Sequence, residues 1–316
     1  MEDNIKQFLV EHNIKRFVAW GHKLHTHTHS YIHNGFILAF KHLGWPTLWL
    51  DKDDDISNID FEGSLFVTEG DTSKNMPVLA SCYYILHNIG ALTAFAGVPR
   101  SHILGMQVVT KGTLTQPNLI MLEPYIYYGG YGIFMPWATD LLPHEIDENI
   151  RKFDTIVPAS PPEFNLVGMG TPVWEDAKNY CIQRGIRFQQ IGGFTRTNVN
   201  VDDNVKLIQR SIIAPALQMG WQLENQYIPC RIFKNISYGK MGMSNNDAVV
   251  DLFNHNILFD PDAIRLIEMG LDFESQSAEY KKSKIIPLME YVRDRHTYIN
   301  RIHSIFHCFN LISGDQ

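Results

Sequence analysis

Cysteine is scarce and scattered: Cys82, Cys181, Cys230 and Cys308 are the four in the chain, and no CxxC occurs. Reduced, mostly buried thiols are therefore expected, not a disulfide framework. Basic clusters are missing too. The formal net charge is -7, with no basic tail or stripe. That disfavours tight binding to a nucleic-acid backbone, which needs clustered Lys and Arg; a local basic pocket can still hold a diphosphate in an acidic protein. No apolar run approaches the roughly 20 residues of a membrane span. The opening Met1-Glu2-Asp3-Asn4 is acidic where a signal peptide has a basic start and an apolar core. These absences lead to the expectation of a soluble, cytoplasmic protein.

What is present is ordinary globular material. The 316 residues, 45% hydrophobic and 19% charged, suffice for two domains, each with its own core. Lys15 to Gly21 reads as a short strand, Tyr31 to Leu43 as a helix stopped by Gly44, and Pro46 to Asp51 as a strand. Strand, loop, helix and strand make a βαβ unit and hence a parallel sheet, whose ligands sit at the carboxyl ends of strands. Further strands are expected at Ser64–Thr68, Tyr83–His87 and Gly105–Thr110, and an extended or hairpin segment from Ile120 to Trp137. Pro143 and the acid-rich Glu145–Glu148 suit a linker. A second alternating pattern follows: a strand at Asp154–Val157, a helix at Trp174–Arg184, a strand at Ile186–Ile191, and helices at Asp202–Ala216 and Asp262–Leu271. Ile285 to Leu311 reads as one long helical stretch with a wide apolar stripe.

The most unusual run is His25-Thr26-His27-Thr28-His29. In an extended loop, alternation puts the three imidazoles on one side. They form a good zinc set. Alternatively one of them takes a proton from a substrate hydroxyl, since a free imidazole titrates near neutrality; or most simply bond loop backbone. Against zinc, a hydrolase of that kind needs further ligands at later strand ends, and only His87 offers itself. Glu69 ends the strand SLFVTEG and is a candidate base or a turn cap. Asp140 is more simply structural, and His303 and His307, four apart, are more simply helix surface than a metal pair.

The stretch Tyr227 to Asn246, YIPCRIFKNISYGKMGMSNN, gives a helix from about Cys230 to Tyr238, a Gly239 stop, and a strand into Ser244-Asn245-Asn246. Arg231 stands at the helix start, where unpaired N–H groups and the dipole favour an anion, and Lys234 follows. Spacing alone fits a phosphate cradle or a surface amphipathic helix with solvated cations.

Arg-Ile-Phe-Lys-Asn, a small residue, Gly and a strand resemble the donor-binding segment of GT-B glycosyltransferases. The nearest likeness is to the CgeB-like group and enzymes of large DNA viruses, and a looser one is to the donor motif of fucosyltransferases. GHKLHTHTHSYIH, MPWATDLLPHEID and HTYINRI look like the same family in the same order. The resemblance implies an α/β fold of two Rossmann-like domains facing each other across a cleft. Residues 1–148 would bind the acceptor, 149–285 the nucleotide-sugar, and a C-terminal helix, 286–316, would cross back to the first domain. It implies a metal-independent hexosyl- or deoxyhexosyltransferase of glycan biosynthesis, without cofactor, using a UDP- or GDP-sugar and a glycan acceptor. Implied donor-binding residues are Arg231, Lys234, Asn235, Ser211, Ser237, Gly239, Ser244 and Asn245; implied catalytic residues are His25, His27, His29 and Glu69. Many retaining members carry Glu where Lys234 falls; the cation here leans toward inversion. The alternatives are a zinc-dependent hydrolase on His25, His27 and His29, and a non-catalytic sugar- or nucleotide-binding module.

Overall fold

Apolar runs of strand length, separated by polar turns, build a seven-stranded sheet in the order Thr47–Leu50, Arg16–Trp20, Ser64–Glu69, Tyr83–His87, Ile103–Gln107, Gly130–Phe134, Tyr125–Tyr127. The computed structural model describes residues 1–23, 28–69, 75–87, 92–107, 125–127, 130–167, 173–191 and 199–314. The strands are β1 (Arg16–Trp20), β2 (Thr47–Leu50), β3 (Ser64–Glu69), β4 (Tyr83–His87), β5 (Ile103–Gln107), β6 (Tyr125–Tyr127) and β7 (Gly130–Phe134). All pair in parallel except the edge pair β6–β7, which is antiparallel; these are the described residues of the segment read as extended or hairpin. The sequence FVAW of β1 is buried on both faces, as a strand inside a parallel sheet must be.

One side of the sheet carries α1 (Glu2–Glu11), α2 (Thr28–His42) and α11 (Tyr298–Gly314). Phe17 of β1 stacks on Phe40 of α2 at 4.3 Å, and Phe8 of α1 stacks on Phe306 of α11 at 4.2 Å. The other side packs Val18, Trp20, Phe66, Tyr84 and Leu86 against Phe61, Phe95 and Val98.

Contacts divide the chain into two units. One holds the described residues up to 107, 125–135 and 298–314; the other holds 136–297. The boundaries expected at 148 and 286 therefore move. Residues 136–142 stay with the second unit because Thr139 Oγ1 bonds Ser237 Oγ at 2.7 Å and Tyr238 donates its hydroxyl to Asp140 at 2.5 Å. The supposed linker at 143–148 is helix α3 (Pro143–Arg151), opened by Pro143 and by Glu145 accepting from Leu142 N–H.

The second unit is also α/β. Strands β8 (Glu163–Val167) and β9 (Arg187–Ile191) pair in parallel, as do β10 (Met243–Ser244) and β11 (Leu258–Phe259). Residues 211–216 run between the pairs: Ile212 N donates to Glu163 O, and Ala216 N to Met243 O. Helices α4 (Val173–Gln183), α5 (Val201–Arg210), α6 (Trp221–Glu224), α7 (Cys230–Ser237), α8 (Asp247–Leu252), α9 (Ala263–Glu274) and α10 (Ala278–Arg295) complete it. Three expectations are corrected here. The strand placed at Asp154–Val157 is a short 3-10 turn, Phe153–Thr155, followed by irregular chain; the real strand starts at Glu163. The helix placed at Asp202–Ala216 stops at Arg210, because the next residues serve the sheet. The long stretch at 285–311 is two helices, since Thr139 takes His296 O into a 3.0 Å bond and bridges Thr297.

Among the described residues, no helix is long and apolar enough to cross a membrane. None of the four cysteines is in a disulfide; Cys82, Cys181 and Cys308 are buried.

The docking of α11 on α2 has a sharp steric test. Gly35 of α2 lies so close to the ring of Tyr298 that a Cβ there would fall inside it. Gly35→Ala should lower unfolding free energy in urea by about 1–3 kcal/mol, the usual cost of overpacking. In a Tyr298→Ala background the same change should cost almost nothing, because the ring is gone. Additive effects of the two substitutions would contradict this packing.

Candidate active site

The order β2-β1-β3 means that the chain leaves β1 toward one edge, through α2, and returns on the other side of β1. At such a switch point the loops after the two central strands diverge and leave a crevice at their carboxyl ends. His22 follows β1 and Glu69 ends β3, so both stand at this point. His22 sits at φ 52, the left-handed region, which turns the chain off the sheet. Its carbonyl is held by Ser30 Oγ at 2.6 Å.

His22 Nε2 lies 2.5 Å from Glu69 Oε2, and His29 Nδ1 lies 3.2 Å from the same oxygen. His29 occupies the first turn of α2, which begins at Thr28 and not at Tyr31. The three-imidazole alternation therefore does not extend to His29, whose backbone is helical. His25 and His27 lie outside the described residues. Of the expected catalytic residues, the fold brings His29 and Glu69 together and adds His22.

Behind them is a buried histidine pair. His33 Nδ1 donates to Gly21 O at 2.9 Å, and His33 Nε2 lies 3.2 Å from His87 Nε2. Burial pushes the His33 imidazole down to about 3, against the opposing help of the Gly21 bond. A neutral His33 that donates from Nδ1 must accept at Nε2, so His87 carries its proton on Nε2. The His29 ring packs edge-on to His87 at 4.7 Å. His22 and His33 escaped sequence reasoning. Their signal was available: His22 directly follows the strand-ending Gly21, and His33 is four residues after His29, on the same helix face.

The Tyr227–Asn246 stretch is interior structure. Helix α7 is buried from Ile232 through Ser237, which corrects both the surface-helix reading and the picture of two cations on one anion. Lys234 Nζ lies 2.8 Å from Asp140, with side-chain exposures of 10% and 1%. A buried pair of this kind neutralises itself, so Asp140 is structural. Arg231, half-buried in the first turn, donates from Nη2 to Leu217 O at 2.9 Å.

The other expected donor residues are also engaged internally. Asn235 donates to Ala214 O, Ser237 Oγ to Lys234 O, and Ser211 Oγ accepts from Asn165 N–H. Ser244 Oγ accepts from Asn246 N–H. Asn245 both accepts from Gln218 N–H and donates to Gln218 O at 2.9 Å, copying a strand partner. Gly239 has φ +94, and a Cβ there would meet Ile156 at 2.7 Å. His303 and His307 do not join a metal-binding group. Among the described residues, only His22, His29 and Glu69 place three such ligand atoms within 4.8 Å of one another.

No protein-family model matches the chain, and no curated protein matches it either. The chemistry must therefore be argued from the residues. A carboxylate that holds one ring nitrogen of an imidazole fixes its tautomer and stabilises its protonated form. The opposite nitrogen is then the basic one. The cluster can accept a proton, or it can hold a metal.

Just past Gly239, Lys240 is buried, and burial pushes its ammonium down to about 8 despite Glu274 nearby; Lys281 adds to the lowering. Its folded value lies below the unfolded one near 10.5. Below pH 8 both states carry the charge and folding bears the penalty. Between pH 8 and 10.5 the unfolded chain binds more protons, so stability rises with pH, by up to about 1.4 kcal/mol per unit from this group. Lys240→Met should raise unfolding free energy at pH 7 by up to about 3 kcal/mol, and the gain should shrink as pH approaches 10. A pH-independent difference in chemical denaturation would refute the burial of a charged Lys240.

Proposed function

We propose that the chain is a glycosyltransferase of the GT-B type, a cytoplasmic enzyme of glycan biosynthesis that moves a sugar from a UDP- or GDP-sugar to an acceptor hydroxyl with inversion. The observation that carries this reading is the pair of imidazoles held by Glu69 at the switch point of the first unit. An acceptor hydroxyl needs a base as it attacks the sugar's anomeric carbon. The new C–O bond forms, the bond to the diphosphate oxygen breaks, and the hydroxyl proton passes to an imidazole nitrogen opposite the one Glu69 holds. An imidazole, as in His22 or His29, has the right chemistry.

The second unit supports donor binding through Arg231. A guanidinium in the first turn of a helix meets two phosphate oxygens and stays charged at working pH. Lys234 acts more indirectly, by fixing the Asp140 segment to α7. The return of α11 to the first unit also accords with the family resemblance, of which the GT-B arrangement is part.

Thermal-shift screening against UDP, GDP, CDP and dTDP identifies the nucleotide, because a ligand of the native state raises the melting temperature. Glu69→Gln should then lower transfer by roughly 100- to 10,000-fold while calorimetric affinity for the nucleotide diphosphate stays within a few-fold. Arg231→Ala should weaken that affinity and lower transfer as well, and Arg231→Lys should only partly restore them. If folded Arg231→Ala binds the nucleotide diphosphate like the parent, α7 is not the donor cradle. Full transfer by Glu69→Gln would remove Glu69 from the proposed chemistry.

A further inference from the structure

We infer that His22 Nε2, His29 Nδ1 and Glu69 Oε2 form a binding site for Zn2+, and that the ion, once bound, silences the base. The binding half stands on geometry alone; the silencing half rests on the proposed transfer reaction.

The donor set is two imidazoles and one carboxylate, a combination that suits zinc and leaves a fourth position open. Zinc bonds of about 2.0–2.2 Å in a tetrahedron put neighbouring ligand atoms about 3.3 Å apart. The Glu69–His29 edge already measures 3.2 Å. The Glu69–His22 edge, 2.5 Å in its hydrogen bond, has to open by about 0.8 Å for that geometry, and the imidazole–imidazole edge is at most 4.8 Å. The three side chains are 13–15% exposed, so the site is shielded but reachable.

The surroundings fix the ligands as a metal site requires. Each comes from a different element: the turn after β1, the first turn of α2, and the end of β3. Ser30 and His33 hold the backbone of Gly21–His22 from below. The rings of His87 and His33 pack against those of His29 and His22 at 4.7 and 5.8 Å.

The silencing follows from tautomers. In the hydrogen-bonded cluster, His22 Nε2 and His29 Nδ1 face Glu69, so the opposite ring nitrogens are the basic ones. An ion on His22 Nε2 and His29 Nδ1 needs those nitrogens unprotonated. Each ring proton then moves to the opposite nitrogen, which becomes a donor. Glu69 is withdrawn from the imidazoles at the same time. Zinc and the acceptor proton thus compete for the same rings.

The test uses EDTA-stripped full-length protein titrated with Zn2+ against a chromophoric chelator, with Co2+ absorption reporting coordination. The expected result is one equivalent bound, with a tetrahedral cobalt spectrum. Binding should weaken at least about 10-fold in His22→Ala and in the near-isosteric Glu69→Gln, the second guarding against a folding defect in the first. His303→Ala/His307→Ala should bind like the parent, and Mg2+ should not compete. Absence of stoichiometric zinc, or equal binding by folded Glu69→Gln and the parent, overturns the site. Sugar transfer should fall in step with zinc occupancy and return with EDTA. Transfer that rises with zinc overturns the silencing. Zinc bound as described in a protein that transfers no sugar under any condition leaves the site standing and removes the transferase reading.

Discussion

Everything in the first unit depends on one topological constraint: β1 lies inside its sheet, with β2 on one flank and β3 on the other. A parallel strand cannot be reached by a tight turn, so each step costs a crossover, and successive crossovers depart in opposite directions from β1. The inner strands β1, β3 and β4 are buried along nearly their whole length, leaving no room for chemistry inside the sheet. Polar groups gather where the constraint opens the structure, at the ends of β1, β3 and β4. His22, Glu69 and His87 are the residues at or just past those ends, and α2 supplies His29 and His33 from the crossover.

The second unit depends on a different kind of contact. Its buried helix α7 is tied to residues 139–140 by hydroxyl and carboxylate bonds, and Lys234 finds its counter-charge there. A lysine this deeply placed is tolerated because the buried Asp140 carboxylate pairs with it. The surrounding asparagines do backbone work. Asn245 pairs with Gln218 through both its amide groups, and Asn246 donates to Gln218 Oε1 and Tyr227 O. The result holds the Leu217–Gln218 segment, whose Leu217 carbonyl accepts from Arg231.

Much of this was legible in the chain. Short apolar runs such as FVAW and YYILH can only be interior strands, and their bounds came out within a residue or two. Helix α7 was placed at nearly its true limits by its spacing and by Gly239. Where the reading failed, the cause was tertiary. Ile212 to Ala216 look helical by composition but serve as a sheet connection between β8 and β10. Residues 285–311 show one unbroken apolar stripe, and nothing local announces that Thr139 will capture the backbone at His296. Pro143 and Glu145 open helix α3, although the acid content of this segment suits a linker equally well. At the site, Glu69 and His29 were visible as a strand end and a polar loop. His22 was not, since its importance depends on which strand returns beside β1. The partner of Lys234, Asp140, is far away in sequence, so nothing local distinguishes this lysine from a phosphate ligand.

Among the described residues, those of the second unit lie between Pro136 and Thr297, set between the two parts of the first unit. During synthesis the order of completion is therefore reversed relative to the order of appearance. The sheet of the first unit emerges early, but the face formed by Phe8, Phe36 and Tyr83 waits for Tyr298, Phe306 and Phe309, which the ribosome delivers only after all of the second unit. Until then an aromatic surface of the nascent chain stands uncovered, a natural handle for holding factors. The inserted unit has every one of its own strands in hand well before that moment.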